Sequence, residues 1–477
     1  MHNFDDWDDI ETIASKVNAG TIKALDLVNE SFKRIHATKE YNAILAVAKD
    51  RAIERAKQID QKVKNGQNAG RLAGVPFIAK DNFLTFGTKT TASSHILANF
   101  EAPFQATAIN KLEAEGAIMV AKANLDSFAH GGSTENSAFG PTLNPIDKTR
   151  VPGGSSGGSG ASIALKLAPF ALGTDTGGSI RLPASFCGVL GYKPTYGLIS
   201  RYGVVAMASS TDVIGPLASS TKDIALVLDV MSGLDPLDST TIQSPENHYD
   251  QLNTSLKGLK VGVIKELLTE DIDQGVAQAI KNQIAVLKDN GAEIIEISIP
   301  SIDLALACYY IIVPAEVSSN LMRYDGQRYG LHDDKAKDLL DSYQSAREQG
   351  FEPENKRRIM IGTYVLSSGY YDAYYKKAQT VRTKLIDEFN QAFKQADILI
   401  SPTAPFTAFK LGQNTADPLQ MYLADIMTVS VNLVGIPAIS MPAGDSNGLP
   451  VGIQFMAPQK ADKKLLQFAQ SYEGLNK

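Results

Sequence analysis

Val151-Pro152-Gly153-Gly154-Ser155-Ser156-Gly157-Gly158-Ser159-Gly160 is the one low-complexity stretch of the chain, and how it is read decides the fold. Composition alone makes it a flexible linker. A linker separates independent units, whereas this run lies between an apolar strand pattern and a helix-like segment, Ala161 to Leu167. It therefore reads as a tight loop leading into a helix inside a continuous core. Three motifs compete for it. A P-loop needs a lysine after its last glycine, but Ala161 stands there and the first lysine is Lys166. A dinucleotide fingerprint wants a glycine where Ile163 stands. The nucleophile elbow G-x-S-x-G is satisfied twice, with Ser155 or Ser156 central, but it needs a histidine base. Downstream there are only His248 and His332, both in polar, loop-like surroundings.

On either side of this run the apolar spacing alternates between strand and helix. Upstream, Ile10, Ile13 and Val17, then Leu25, Val28, Phe32 and Ile35, give two amphipathic helices about Gly20. A short strand at Asn42 to Val47 and a charged helix at Lys49 to Lys64 follow. Leu72 to Lys80 is an apolar strand, followed by a helix at Ala106 to Glu115 and a strand at Ala117 to Lys122. Downstream the pattern returns as helix Ile224 to Met231, strand Leu259 to Lys265, helix Val276 to Leu287 and strand Glu293 to Ile299. This alternation predicts an α/β core with a mixed or parallel sheet. From Leu304 to Ala396 the chain changes to long helical segments rich in tyrosine. Strand-like Asp397 to Ser401, Pro437 to Pro442 and Gly452 to Met456 then return to the core.

Composition narrows the function. The chain has 477 residues, 46 Lys+Arg against 52 Asp+Glu, a net charge of −6 and 44% hydrophobic residues. That is ordinary globular composition, without the clustered basic charge of a nucleic-acid-binding surface. Two distant cysteines, Cys187 and Cys308, exclude a disulfide scaffold and a cysteine-ligated zinc site. The acidic start, Phe4-Asp5-Asp6-Trp7-Asp8-Asp9, lacks the form of an export signal, and the uncharged stretch Ile426 to Gly444 is broken by glycine and proline. The expectation is a cytoplasmic protein with no membrane contact.

A second glycine-rich serine stands in Leu172-Gly173-Thr174-Asp175-Thr176-Gly177-Gly178-Ser179-Ile180-Arg181. Glycines let backbone amides come close to a ligand oxygen, so the N–H groups of Thr176, Gly177, Gly178 and Ser179 form a candidate oxyanion hole. The Ser179 hydroxyl is then placed to attack a carbonyl. With no suitable histidine, its base is a carboxylate or a lysine made easy to deprotonate. Lys80 ends an apolar strand, and burial would lower its pKa.

These segments, from about Leu72 to Leu217, resemble the amidase signature family. The matching residues are Lys80 in G-V-P-F-I-A-K-D-N, Ser155 in P-G-G-S-S-G-G-S and Ser179 in D-T-G-G-S-I-R. The resemblance implies an α/β amidase signature fold, with a central mixed β-sheet covered by helices on both faces and a helical insertion. It implies one amidase domain over 1–477: an N-terminal helical segment at 1–70, a catalytic core at 71–303, the insertion at 304–396 and a return to the core at 397–477. It also implies a triad in which Ser179 is the nucleophile, Ser155 a bridging serine in cis conformation and Lys80 the base. Ser156 stays open as an alternative bridge.

Three further segments, Ser133 to Pro141, Met322 to Gly330 and Ser367 to Ala378, extend the likeness over nearly the whole chain. They are similar to the ammonia-releasing subunits of tRNA-dependent amidotransferases. That resemblance implies a glutaminase that passes ammonia to a partner, the B subunit, which uses ATP and Mg²⁺ to amidate Glu-tRNA(Gln), with a small C subunit joining the two. It implies no metal and no cofactor bound by this chain, and tRNA contact mainly through the B subunit. An α-amino acid needs a cation for its carboxylate and an anion for its ammonium. By resemblance Arg358 and Asp425 fill these roles, with Arg357 open as an alternative and Tyr309 as a third contact.

The chain also departs from that pattern. Where such subunits usually read Asn-Met-Asp-Glu-Phe-Ala-Met-Gly, it has Asn124-Leu125-Asp126-Ser127-Phe128-Ala129-His130-Gly131, which removes a carboxylate and adds an imidazole. Tyr192 and Gly160 are smaller changes. Two other functions remain in view: a stand-alone amidase with the same triad, and an inactive scaffold, against which the intact Lys80, Ser155 and Ser179 argue.

Overall fold

Eleven strands form one mixed sheet in a computed structural model that describes residues 4–244, 247–414 and 418–475. In chain order they are β1 (Ile44–Val47), β2 (Pro76–Lys80), β3 (Ile118–Ala123), β4 (Phe170–Asp175), β5 (Leu190–Lys193), β6 (Val213–Ala218), β7 (Lys260–Ile264), β8 (Glu293–Ile297), β9 (Ile398–Pro402), β10 (Ala438–Ser446) and β11 (Leu449–Met456). Across the sheet they run β1-β3-β2-β4-β6-β5-β10-β11-β9-β7-β8. β2 is parallel to β3 and β4, and β7 to β8 and β9; the other pairings are antiparallel. Every residue of β2, β3 and β4 is buried, as a parallel segment covered by helices on both sides requires.

The two N-terminal helices are Ile10–Asn18 and Ala24–Ala37. Ile10, Ile13, Ala14 and Val17 form the buried stripe of the first, and the Asp9 carboxylate caps it by accepting from the Thr12 N–H at 2.9 Å. The glycine–serine run behaves differently from its reading as a loop: the helix starts at Gly157, inside the run, and ends at Ala164. Glycine is a poor helix former, but a side chain at Gly158 would collide with the carbonyls of Asn124 and Ala43, and one at Gly157 with Thr134. Close packing against β3 and its following loop outweighs propensity here. The sequence reading also missed β5 and β6. Gly215 and Pro216 break the strand pattern of β6, and Gly215 is needed because the Tyr192 carbonyl lies against it.

Between β8 and β9 the chain is helical, with Ala305–Asn320, Leu339–Gly350, Pro353–Val365 and Lys377–Ala392 as its main elements. Residues Ile302–Arg323 are long and apolar enough to cross a membrane, and half of that window is buried within the fold. Helix Ala305–Asn320 is apolar all round because it packs against Pro353–Val365, Lys377–Ala392 and Val429–Val434. Gly362 allows the closest of these approaches, against the Pro314 carbonyl. One hydrophobic cluster runs from Ile10 to Tyr472.

Candidate active site

Lys80 ends β2 with no exposed surface. Its Nζ donates to Ser155 Oγ and to Thr174 Oγ1, both at 2.8 Å, and Asn82 Nδ2 donates to the same threonine hydroxyl at 3.0 Å. Burial pulls the Lys80 pKa down to about 7, against the opposing pull of the Asp126, Asp175 and Asp212 carboxylates. The Gly154–Ser155 peptide bond is cis. Ser156, the alternative bridge, faces elsewhere: its Oγ donates to the Thr174 carbonyl and its N–H to the Ser179 carbonyl, both at 3.1 Å. Ser156 thus ties the loop before the helix to the loop after β4, and Ser155 alone of the two meets Lys80.

The turn that carries Ser179 is held by Asp175. Its carboxylate accepts from the N–H groups of Gly178 (2.8 Å) and Ile180 (3.1 Å), from Arg181 Nη2 (2.9 Å) and from Asn432 Nδ2 (3.0 Å). Burial would raise the Asp175 pKa, but the Arg181 guanidinium and these bonds outweigh it and hold the carboxyl far below its ordinary range. The expectation for the oxyanion hole is corrected accordingly: the Gly178 N–H is engaged by Asp175 and serves to shape the turn. The N–H groups of Thr176, Gly177 and Ser179 have no protein acceptor among the described residues. Gly178 has φ 138° with the Thr428 side chain below it, so glycine is required there. At Gly177 a side chain would meet the Tyr309 ring and hydroxyl at 2.5 Å, which places Tyr309 directly on the turn.

Near this turn lies a cavity of about 260 Å³, lined by Asp126, His130, Ser133, Tyr310, Glu354 and Arg358 among others. Arg358 is 3% exposed; its Nε donates to Glu354 Oε1 at 2.9 Å and its guanidinium lies over the rings of Tyr310 (5.3 Å) and Tyr422 (5.7 Å). Its Nη1 is buried without a partner among the described residues. Arg357 instead lies at the rim, half exposed and paired with Glu354. Asp425 accepts from the Tyr310 hydroxyl at 3.0 Å, lies beside Gly132, and has its pKa pushed up by burial to about 7. The rings of Tyr309 and Tyr310 meet edge to face at 5.1 Å, which links the Ser179 turn to the cavity. Among the described residues no group of three or more His, Cys, Asp and Glu is placed to hold a metal ion.

Several site residues escaped the sequence reading. Thr174 and Asn82 bracket Lys80, and Asp126 accepts from the N–H groups of Thr134 (2.9 Å) and Asn136 (3.1 Å) under the Ser155 loop. Tyr310 and Glu354 orient Asp425 and Arg358. The four-residue spacing from Glu354 to Arg358 was a usable signal for a helical ion pair, but Arg357, three residues on, pairs with the same carboxylate, so spacing did not mark which arginine turns inward.

A buried lysine bonded to one serine of the glycine–serine run, and a second serine on a glycine turn, thus stand on one mixed sheet covered by helices. The amidase family model matches residues 26–466, and the chain belongs to this family. It is 53% identical over 458 residues, 96% of this chain and 94% of its relative, to the A subunit of glutamyl-tRNA(Gln) amidotransferase from Thermoanaerobacter pseudethanolicus. The crystal structure of the A subunit of glutamyl-tRNA(Gln) amidotransferase from Thermotoga maritima matches with a TM-score of 0.79 at 41% identity, covering 94% of this chain and 91% of that one. The native peptide amidase of Stenotrophomonas maltophilia matches with a TM-score of 0.83 at 27% identity, covering 98% and 96%. Backbone likeness is thus shared by proteins with different substrates, and the substrate has to be argued from the site.

Proposed function

We propose that the chain is the ammonia-releasing A subunit of a glutamyl-tRNA(Gln) amidotransferase, hydrolysing glutamine to glutamate and ammonia. The observation that carries this reading is the pairing, beside the Ser179 turn, of a buried arginine with a free Nη1 and a buried aspartate. These two charges match the carboxylate and ammonium of an α-amino acid, which a general amide hydrolase has no need to bind. The relatives named above support the same assignment. The chain then acts in the cytosol in a heterotrimer: the B subunit uses ATP and Mg²⁺ to activate Glu-tRNA(Gln) and receives the ammonia, and the C subunit joins the two.

The chemistry we propose is supported by the Lys80–Ser155 hydrogen bond and by the glycine turn that carries Ser179. Neutral Lys80 takes the proton of Ser155 Oγ, Ser155 takes that of Ser179 Oγ, and Ser179 attacks the side-chain amide carbon of glutamine. The N–H groups left free on the turn, those of Thr176, Gly177 and Ser179, receive the oxyanion. Collapse of the tetrahedral intermediate breaks the C–N bond, and the relay returns the proton to the departing ammonia. Water then cleaves the glutamyl ester on Ser179 by the same relay in reverse order, releasing glutamate.

Asp425→Ala is expected to raise the KM for glutamine by roughly tenfold or more, as a lost hydrogen bond to a charged group would, and to change hydrolysis of propionamide little. Equal loss on both substrates, measured by ammonia release, would show that Asp425 is not an amino-acid clamp. The assignment as a whole is tested by ammonia release from the chain alone and after addition of its B and C subunits, ATP, Mg²⁺ and Glu-tRNA(Gln). Strong stimulation with formation of Gln-tRNA(Gln) is expected. Partner-independent hydrolysis of varied amides would favour the stand-alone amidase, the reading that the peptide amidase likeness supports.

A further inference from the structure

His130 lines the cavity beside Arg358, and the bonds around it fix its tautomer. Asn355, on the same helix as Arg358, donates from Nδ2 to the Ser127 carbonyl at 3.0 Å, and its Oδ1 accepts from the Glu352 N–H at 3.2 Å. A carbonyl only accepts and an amide N–H only donates, so the orientation of the Asn355 amide is set by its partners. The same Nδ2 lies 2.7 Å from His130 Nδ1, which must therefore be the acceptor. The ring proton is on Nε2, on the edge turned away from Asn355.

That Nε2–H is buried and has no partner among the described residues. Arg358 lines the same cavity, and its Nη1 is in the same condition. A buried donor without an acceptor carries a desolvation penalty, and two of them beside one cavity call for a ligand with two acceptor oxygens. Burial and the neighbouring Arg358 charge keep the imidazole neutral, so it offers a hydrogen bond without a second positive charge. Ser127 belongs to the same arrangement: its hydroxyl meets the carboxylate of Glu352, the residue that caps the helix carrying Asn355 and Arg358. The two departures at 127 and 130 thus act together. One docks the start of the helix, and the other reaches past it into the cavity, where methionine would offer no donor.

We propose that His130 is a specificity-determining residue whose Nε2–H donates to the α-carboxylate of glutamine beside Arg358. The inference rests on the glutamine reading given above. It is tested by the steady-state kinetics of the wild-type chain, His130→Met and His130→Gln on glutamine and on 4-aminobutanamide, the analogue lacking the carboxylate. His130→Met is expected to raise the KM for glutamine roughly tenfold with kcat little changed, and to leave kcat/KM for 4-aminobutanamide as in wild type. His130→Gln, which keeps an N–H donor, is expected to recover most of the loss. Wild-type turnover of glutamine with a KM that His130→Met does not move would overturn the inference and leave the glutamine reading standing, as would equal losses on both substrates. A wild-type chain that hydrolyses 4-aminobutanamide but not glutamine, even with its partner subunits, would overturn both.

Discussion

Ser179→Ala is expected to slow ammonia release from glutamine by about 10⁴-fold or more while leaving the thermal unfolding transition nearly where it is in wild type. The first half follows from the chemistry: without the hydroxyl no acyl-enzyme forms, and what remains is the binding and polarisation of the amide by the turn. The second half follows from how the turn is built. Its shape depends on the Asp175 carboxylate, the Arg181 guanidinium and the N–H of Ser156 on the Ser179 carbonyl. None of these bonds uses the Ser179 hydroxyl, and the residue is 8% exposed, so alanine takes its place without a cavity of consequence. Ammonia release and far-ultraviolet circular dichroism on the same preparation check both halves. Residual turnover within tenfold of wild type would remove Ser179 as nucleophile. An unfolded variant would mean that the hydroxyl holds the turn.

The parts of this molecule that were legible in sequence are those set by local periodicity. The helix stripe Ile10, Ile13, Val17 and the apolar run into Lys80 are patterns a short window contains; the stripe formed as read, and the run formed a strand over its second half, Pro76–Lys80, with turns before it. The start of the helix at Gly157 was not legible, because what favours glycine there is the Thr134 side chain against Gly157 and the Asn124 carbonyl against Gly158, both distant in sequence. The choice between Ser155 and Ser156 is likewise a matter of which hydroxyl meets Lys80 across the sheet, and two adjacent serines look alike until β2 and β4 are paired. Gly178 was assigned to the oxyanion hole because glycine in a turn signals access. In the fold its amide is spent on Asp175, three residues earlier, and the glycine is there for a positive φ. Arg357 and Arg358 differ only in the helix face they share with Glu354 and the cavity, which spacing alone left undecided.

Lys80→Met is expected to abolish amide hydrolysis, with a loss of about 10³-fold or more, and at pH 6 to melt at a higher temperature than wild type. The two effects have one cause. A lysine with an ordinary pKa of about 10.4 in the unfolded chain and about 7 in the folded protein binds its proton more weakly when folded. Below pH 7 the folded state must hold a charge it disfavours, at a cost on the order of 4 kcal/mol, and that cost fades as the pH rises from 7 towards 10.4. Methionine removes it, and gives back part of the gain by leaving Ser155 Oγ without its Lys80 partner; Thr174 Oγ1 still has Asn82. The stability advantage of Lys80→Met should therefore be largest at pH 6 and shrink by pH 9.5; an advantage that does not change with pH would contradict a depressed pKa. The same group governs rate. With propionamide, which does not engage Asp425, wild-type kcat/KM should rise through about pH 7 as Lys80 loses its proton. Lys80→Arg should show no such limb, because a guanidinium stays protonated. A wild-type profile that climbs only near pH 10 would mean that Lys80 keeps an ordinary lysine pKa and is charged at neutral pH.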